Sequence, residues 1–352
     1  MKQSYLISEK NLSSFCVKIL MKYGMSKNDA VTMSCLLVKT DKWGINTHGT
    51  KNLFGYVKKA IAGGVSFVNQ PKIVTDYPSL TLIDANNCMG FVSSSFAMNL
   101  ACEKAKNNGI AMVVVKNSSH YGAGACYANI ASEKGYIGIC ISNVDKKMTI
   151  PGSKGMVMGH NPFTLSAPAG KLPSIFLDAS SSNVSSLKVI RYKLAGESIP
   201  NNWIVDKDGC PTTDPSHYPD EGALLPVGGH KGYGIALFID ILTGIISSSL
   251  NSVVNDIPSW CFDLEKPNGV SHTFIAINQS LICRNFVKQI DELIDALHNL
   301  PKAKDTQNIF VPGEIEWNNY KNCSDFIKLP KDVAEELLKL SEFSGIKLGF
   351  EE

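Results

Sequence analysis

Apolar residues in the first forty positions recur at helical spacing and are bracketed by capping signals. Ser8 precedes a helix predicted over 9–22 and ended by Gly24. Ser26, with Asp29 three residues later, opens a second helix running to about residue 42. On it Met33, Leu36, Leu37 and Thr40 fall on one face, as a packed helix requires. A glycine-bounded turn holding His48 follows, then a short helix near 53–62 that Gly63 and Gly64 stop.

From about Pro71 the period changes. Short apolar or β-branched runs at 80–84, 110–116, 137–143 and 175–178 predict strands, with helices over 93–107 and 124–133 between them. A polar loop at 203–214 leads to a long apolar run at 232–250, and 275–278 predicts one more strand. An amphipathic helix over 286–300 places Ile290, Leu293, Ile294 and Leu297 on one face, and a last helix covers 331–344. There is no internal repeat and no low-complexity linker. The pattern predicts an α/β unit flanked by helices from both ends of the chain.

The run at 232–250 approaches membrane-spanning length but carries Asp240 near its centre. A carboxylate there costs roughly 2.5–3.5 kcal/mol in bilayer insertion, so a buried core helix is predicted and no membrane span. With 34 basic and 32 acidic side chains in 352 residues, the net charge of +2 gives no footprint for nucleic acid or an anionic membrane. A small molecule is the expected partner. Ten scattered cysteines include no C-x-x-C pair, which suits free thiols better than a disulfide framework or a metal site. Residues 1–20 hold no apolar core behind a basic start, so no secretory signal is predicted and a cytoplasmic location is expected. The sequon at Asn117 is then incidental.

The usual nucleotide signatures are absent. No P-loop occurs, and Gly122-x-Gly124 lacks the third glycine and the acidic residue of a Rossmann fingerprint. What remains are four polar clusters at tight turns: Thr47-His48-Gly49, Asn117 to Gly122, Pro226 to Gly232, and Val311 to Glu314. Taken alone, each also fits a plain turn. The second follows a strand, where α/β folds commonly place chemistry, and the third offers glycines and a His-Lys pair for phosphate contact at a helix start.

In series the clusters are more specific. D-x-x-G-x-x-T-H-G (41–49), N-S-S-H-Y-G (117–122), G-H-N-P (159–162), F-L-D-A-S-S-S (176–182), W-I-V-D-x-D-G-x-P-T-T-D (203–214), L-L-P-V-G-G-H-K-G-Y-G (224–234) and V-P-G-E (311–314) occur in order over nearly the whole chain. This series resembles the malate/L-lactate dehydrogenase family of the non-Rossmann type. The resemblance implies an α/β (α+β) fold with a mixed-sheet cofactor domain over 73–284. It also implies a helical domain built from 1–72 and 285–352, a homodimer, and NAD or NADP as cofactor.

It further implies interconversion of a 2-oxoacid, or related ketone, and a 2-hydroxyacid. His48 would donate the proton with Thr47 beside it, or His120 would serve as acid/base. Cofactor contacts are implied at His120, Tyr121, Gly122, Asp178, Ala179, Ser180, His230, Lys231, Pro312, Gly313 and Glu314. The chain departs from the family where many members carry an arginine suited to a carboxylate: here Trp43 stands, and an indole cannot form that fork. Trp43 is therefore expected at the substrate, with the anchor elsewhere or the substrate apolar or sugar-like. Lys188 stands where imine-reducing members carry an aspartate and is the second substrate position. The block Asp145-Lys146-Lys147-Met148 differs from the small, proline-containing family texture and is expected to alter the pocket rim. Two alternatives remain beside the main reading: a cyclic imino acid reductase, and a dinucleotide-binding protein that has lost turnover.

Overall fold

The computed structural model describes residues 4–323 and 325–350. A seven-stranded mixed sheet forms its centre. Its order is Lys72–Asp76, Leu80–Asp84, Ile110–Ser118, Val270–Ile277, Ile137–Ser142, Phe163–Ala167 and Ile175–Ala179. Only the Leu80–Asp84 and Ile110–Ser118 pairing is parallel; the crossover between them is the Gly90–Asn108 helix. The fold is thus mixed α/β without a doubly wound parallel sheet.

The middle strand is longer than the predicted 275–278, because Ser271, His272 and Thr273 carry on the ladder while fully buried. Polar residues are tolerated there because flanking strands satisfy them: His272 meets Ser142 Oγ at 2.8 Å and Ser118 Oγ at 3.0 Å.

The two N-terminal helices form as their caps predict. Ser8 Oγ accepts from Asn11 N–H, and Ser26 Oγ from Asp29 N–H, both at 3.2 Å. Such a cap is worth about 1 kcal/mol. The Lys27–Lys42 helix buries Met33, Leu36, Leu37 and Thr40, so the predicted face is the packed one. A two-stranded ribbon not foreseen from periodicity joins the ends of the chain, Ser4–Ser8 pairing antiparallel with Phe326–Pro330. The Lys331–Ser344 helix packs over this ribbon and the Leu53–Ile61 helix. The Phe286–His298 helix is anchored to the main sheet: Asp291 accepts from the N–H groups of Gly170, Lys171 and Leu172.

A second core lies under a smaller five-stranded sheet and gathers Met148, Met158, Val189, Ile204, Tyr218 and Leu224. The run predicted as one buried helix divides in two. An α-helix, His230–Asp240, passes into a π-helical turn, Ile241–Ile245. It is buried on one face only. Gly232, Ala236, Asp240 and Thr243 face inward, whereas Ile235, Phe238, Leu242 and Ile245 are exposed, Phe238 to 64%. Asp240 is satisfied by Ser252, through its N–H at 3.2 Å and its hydroxyl. Among the described residues no helix is long and apolar enough to cross a membrane.

Candidate active site

Two turns meet at the edge of the main sheet. The first follows the Lys27–Lys42 helix and is buckled by Asp41. Its carboxylate accepts from Thr50 N–H at 3.1 Å, from the Thr50 hydroxyl at 2.5 Å and from Asn46 Nδ2 at 3.2 Å. A Cβ at position 49 would stand 2.0 Å from Asp41 Oδ1, so only glycine closes this turn. Burial pushes the Asp41 carboxyl up to about 6, against the pull of its hydrogen bonds.

The second turn continues the Ile110–Ser118 strand. Gly122, at φ 78°, could bear no side chain: a Cβ would lie 2.7 Å from the Phe91 ring and 3.5 Å from the His48 carbonyl oxygen. That last distance shows how closely the turns abut. His48 and His120 consequently face each other, ring centroids 5.9 Å apart and planes 25° from parallel.

Their surroundings differ. The Thr47 hydroxyl lies 2.9 Å from His48 Nδ1; when it donates there, the ring proton sits on Nε2. Burial lowers the His48 pKa below its ordinary 6.5, opposed by the negative charge of Asp178. His120 Nδ1 lies 2.7 Å from the Tyr56 hydroxyl, and its ring stacks on Trp260 at 4.6 Å. Burial, then the charges of His48 and His272, hold His120 well below the usual histidine range. His272 lies directly behind the turn, fully buried. Its ring stacks on Tyr121 at 4.5 Å, and its Nε2 donates to the Ser119 carbonyl at 3.2 Å. Burial pushes its pKa down to about 4.

Trp260 belongs to a loop held on the Leu53–Ile61 helix. Lys59 Nζ donates to the carbonyls of Asp263 and Lys266, each at 2.7 Å, and Gly55 leaves room for the indole edge. Sequence reasoning missed Tyr56, Trp260 and His272 because none lies in a glycine-flanked polar cluster; His272 sits in a β-branched strand, which masks it.

The implied cofactor residues border the same edge. Asp178 ties strand Ile175–Ala179 to the Gly124–Glu133 helix, accepting from Ala125 N–H at 2.9 Å and from Thr164 Oγ1 at 2.7 Å. Burial raises its pKa, while those hydrogen bonds and the charge of His48 oppose the rise. Ala179 ends the strand opposite Phe163, and Ser180 Oγ lies 3.0 Å from Ser182 Oγ. The next residues touch the glycine turn: Val227 N–H donates to the Ser181 carbonyl at 2.9 Å. A Cβ on Gly232 would strike that carbonyl at 2.6 Å. Gly228 and Gly229, at φ 58° and 62°, open the His230–Asp240 helix with His230 and Lys231 exposed at its start.

Ser181 Oγ is buried without a partner, an orphan polar atom beside a positive helix end. These features fit the phosphates of a dinucleotide. On the other side of the strand, Pro312 accepts from Phe176 N–H at 3.1 Å. Gly313, at φ 85°, would meet the Phe176 ring 2.6 Å from a Cβ. Glu314 accepts from Val311 N–H at 2.9 Å and pairs with His298 at 2.8 Å. No group of three or more metal-ligating side chains exists among the described residues.

Neither implied substrate residue joins the histidines. Trp43 is 1% exposed and packs in the core, edge-on to Trp317 at 5.5 Å and tilted against Phe176 at 5.3 Å. Lys188 stands exposed on the Ser186–Ala195 helix of the smaller lobe, its ammonium 4.9 Å from the Trp203 ring.

Two imidazoles that face each other on abutting glycine turns are an arrangement able to exchange a proton with a bound molecule. The sequence profile of the malate/L-lactate dehydrogenase family matches residues 7–338, and the chain belongs to that family. It is 33% identical to a malate dehydrogenase of Pyrococcus abyssi, over 97% of this chain and 95% of the relative. The solved sulfolactate dehydrogenase of Methanocaldococcus jannaschii superposes with a TM-score of 0.90 at 30% identity, covering 97% of this chain and 98% of that one. A solved malate dehydrogenase of Entamoeba histolytica gives a TM-score of 0.89 at 26% identity, covering 99% and 100%.

Proposed function

We propose that this chain interconverts a 2-oxoacid and a 2-hydroxyacid with NAD or NADP, His48 exchanging the proton. The observation that carries the reading is the face-to-face pair of imidazoles, beside which stands the contact of the 180–182 segment with the glycine turn through Val227 N–H on the Ser181 carbonyl. The nicotinamide, when bound, supplies or takes the hydride at the substrate carbon. The chain's task is then to deliver a proton to the developing alkoxide and to hold the reactants at near-attack distance.

His48 suits the donor role. In the imidazolium, Nδ1–H donates to the Thr47 hydroxyl and Nε2–H is left for the substrate, and burial makes that cation a stronger acid than in water. Asp178 keeps that cation accessible by opposing the burial effect. His120, clamped by Tyr56 and Trp260, presents a neutral ring that orients the substrate oxygen. The 180–182 segment and the His230–Asp240 helix start would hold the cofactor phosphates, with the Pro312–Gly313 turn lining its other side.

The exposed stripe Ile235, Phe238, Leu242 and Ile245 recurs at helical spacing and supports a homodimer through this face. Ten cysteines, all unpaired, suit a reducing, cytoplasmic setting. The test is direct: the purified protein oxidises NADH or NADPH in the presence of a panel of 2-oxoacids. Absence of both turnover and dinucleotide binding overturns the reading.

A further inference from the structure

With Trp43 in the core, the carboxylate of a 2-oxoacid needs another anchor. Strand Lys146–Met148 lies antiparallel to Met158–Gly159, so Lys147 and His160 sit on neighbouring segments of the smaller sheet. The Lys147 side chain is mostly covered yet not sealed, 21% exposed, and its ammonium lies 3.0 Å from Asp145 Oδ2. Asp145 engages one of three ammonium donors, which leaves two for a ligand.

The same ammonium stands 5.8 Å from the Phe262 ring. Phe262 is two residues from Trp260, the indole stacked on His120. Residues 260–262 lie in a turn, so this short stretch carries one aromatic to the histidine and the next to the lysine. His160 supplies the second link. Its Nδ1 is buried without a partner, and its carbonyl accepts from Ser181 N–H at 3.2 Å. Its ring lies within electrostatic reach of both Lys147 and His48.

We propose that Lys147 is the specificity-determining residue that binds the substrate's carboxylate, with His160 Nδ1 beside it as a further polar contact. The inference rests on the 2-oxoacid reading above. The ammonium replaces a guanidinium fork by a point charge, which recognises the anion without fixing its plane. Asp145 tempers the attraction and lets the product leave.

The experiment compares Lys147→Gln, Lys147→Arg and Asp145→Asn on the full-length enzyme, using a 2-oxoacid, its uncharged amide, and oxamate as a redox-inert probe. Lys147→Gln raises KM for the acid at least tenfold, keeps kcat within about threefold, leaves dinucleotide affinity unchanged and abolishes the preference for acid over amide. Lys147→Arg restores most of that preference. Asp145→Asn lowers KM for the acid two- to fivefold. Unchanged acid-over-amide selectivity in Lys147→Gln overturns the anchor while leaving the 2-oxoacid reading intact, as does a KM raised by Asp145→Asn. A parent enzyme that neither reduces the acid nor binds oxamate overturns both.

Discussion

His48 and His120 are the same residue on two abutting glycine turns, yet the protein treats them differently. His48 has a single hydroxyl neighbour within hydrogen-bonding distance and the nearby charge of Asp178. His120 has a stacked indole on one face, a phenol at Nδ1 and a second buried histidine behind it. The first environment leaves protonation responsive; the second suppresses it. Imidazole chemistry here is therefore assigned by surroundings.

The contrast can be broken most strongly at His48. His48→Gln is expected to lower kcat by roughly 10²–10⁴-fold, the usual worth of a positioned acid, with dinucleotide binding by fluorescence quenching unchanged. A larger kcat loss in His120→Gln would exchange the two roles. The next effect is on stability. Folded His272 has its pKa depressed from 6.5 to about 4. The unfolded chain thus binds the extra proton first, and stability falls as pH drops from 6.5 toward 4. His272→Gln should flatten that acid limb by about 3 kcal/mol, read from urea midpoints across the window.

Smaller again is Asp178→Asn. Removing the carboxylate charge takes away the group that favours the His48 cation, so the alkaline limb of the reduction profile should move to lower pH. The rate of reduction at neutrality should fall, read from kcat across the pH profile. Last, Tyr56→Phe removes a single hydrogen bond from His120. It should cost about 1 kcal/mol in stability and less than a fivefold change in activity.

The histidine turns were legible in the sequence because glycine and polar residues cluster where backbone must bend sharply. The flanking helices were legible through their caps and periodicity. Other features depend on partners far along the chain. Val270 to Thr273 reads poorly as strand until Ser118 and Ser142 are known to flank it. Trp260 lies in a loop without periodicity, and its stacking on His120 is set by Lys59 gripping the loop carbonyls. Trp43 was legible as a departure from the family arginine, but its surroundings were not: at the end of the Lys27–Lys42 helix the indole packs against Phe176 and Trp317, partners far along the chain.

The central strand has a consequence for biogenesis. Ile110–Ser118 and Ile137–Ser142 do not touch as ladder partners; Val270–Ile277 separates them. A ribosome must therefore emit well over a hundred further residues before these two edges are zipped together. Until then each presents unpaired N–H and C=O groups to any passing strand. Maturation should accordingly be slow and late, and overproduction at high temperature should send much of the nascent chain into aggregates.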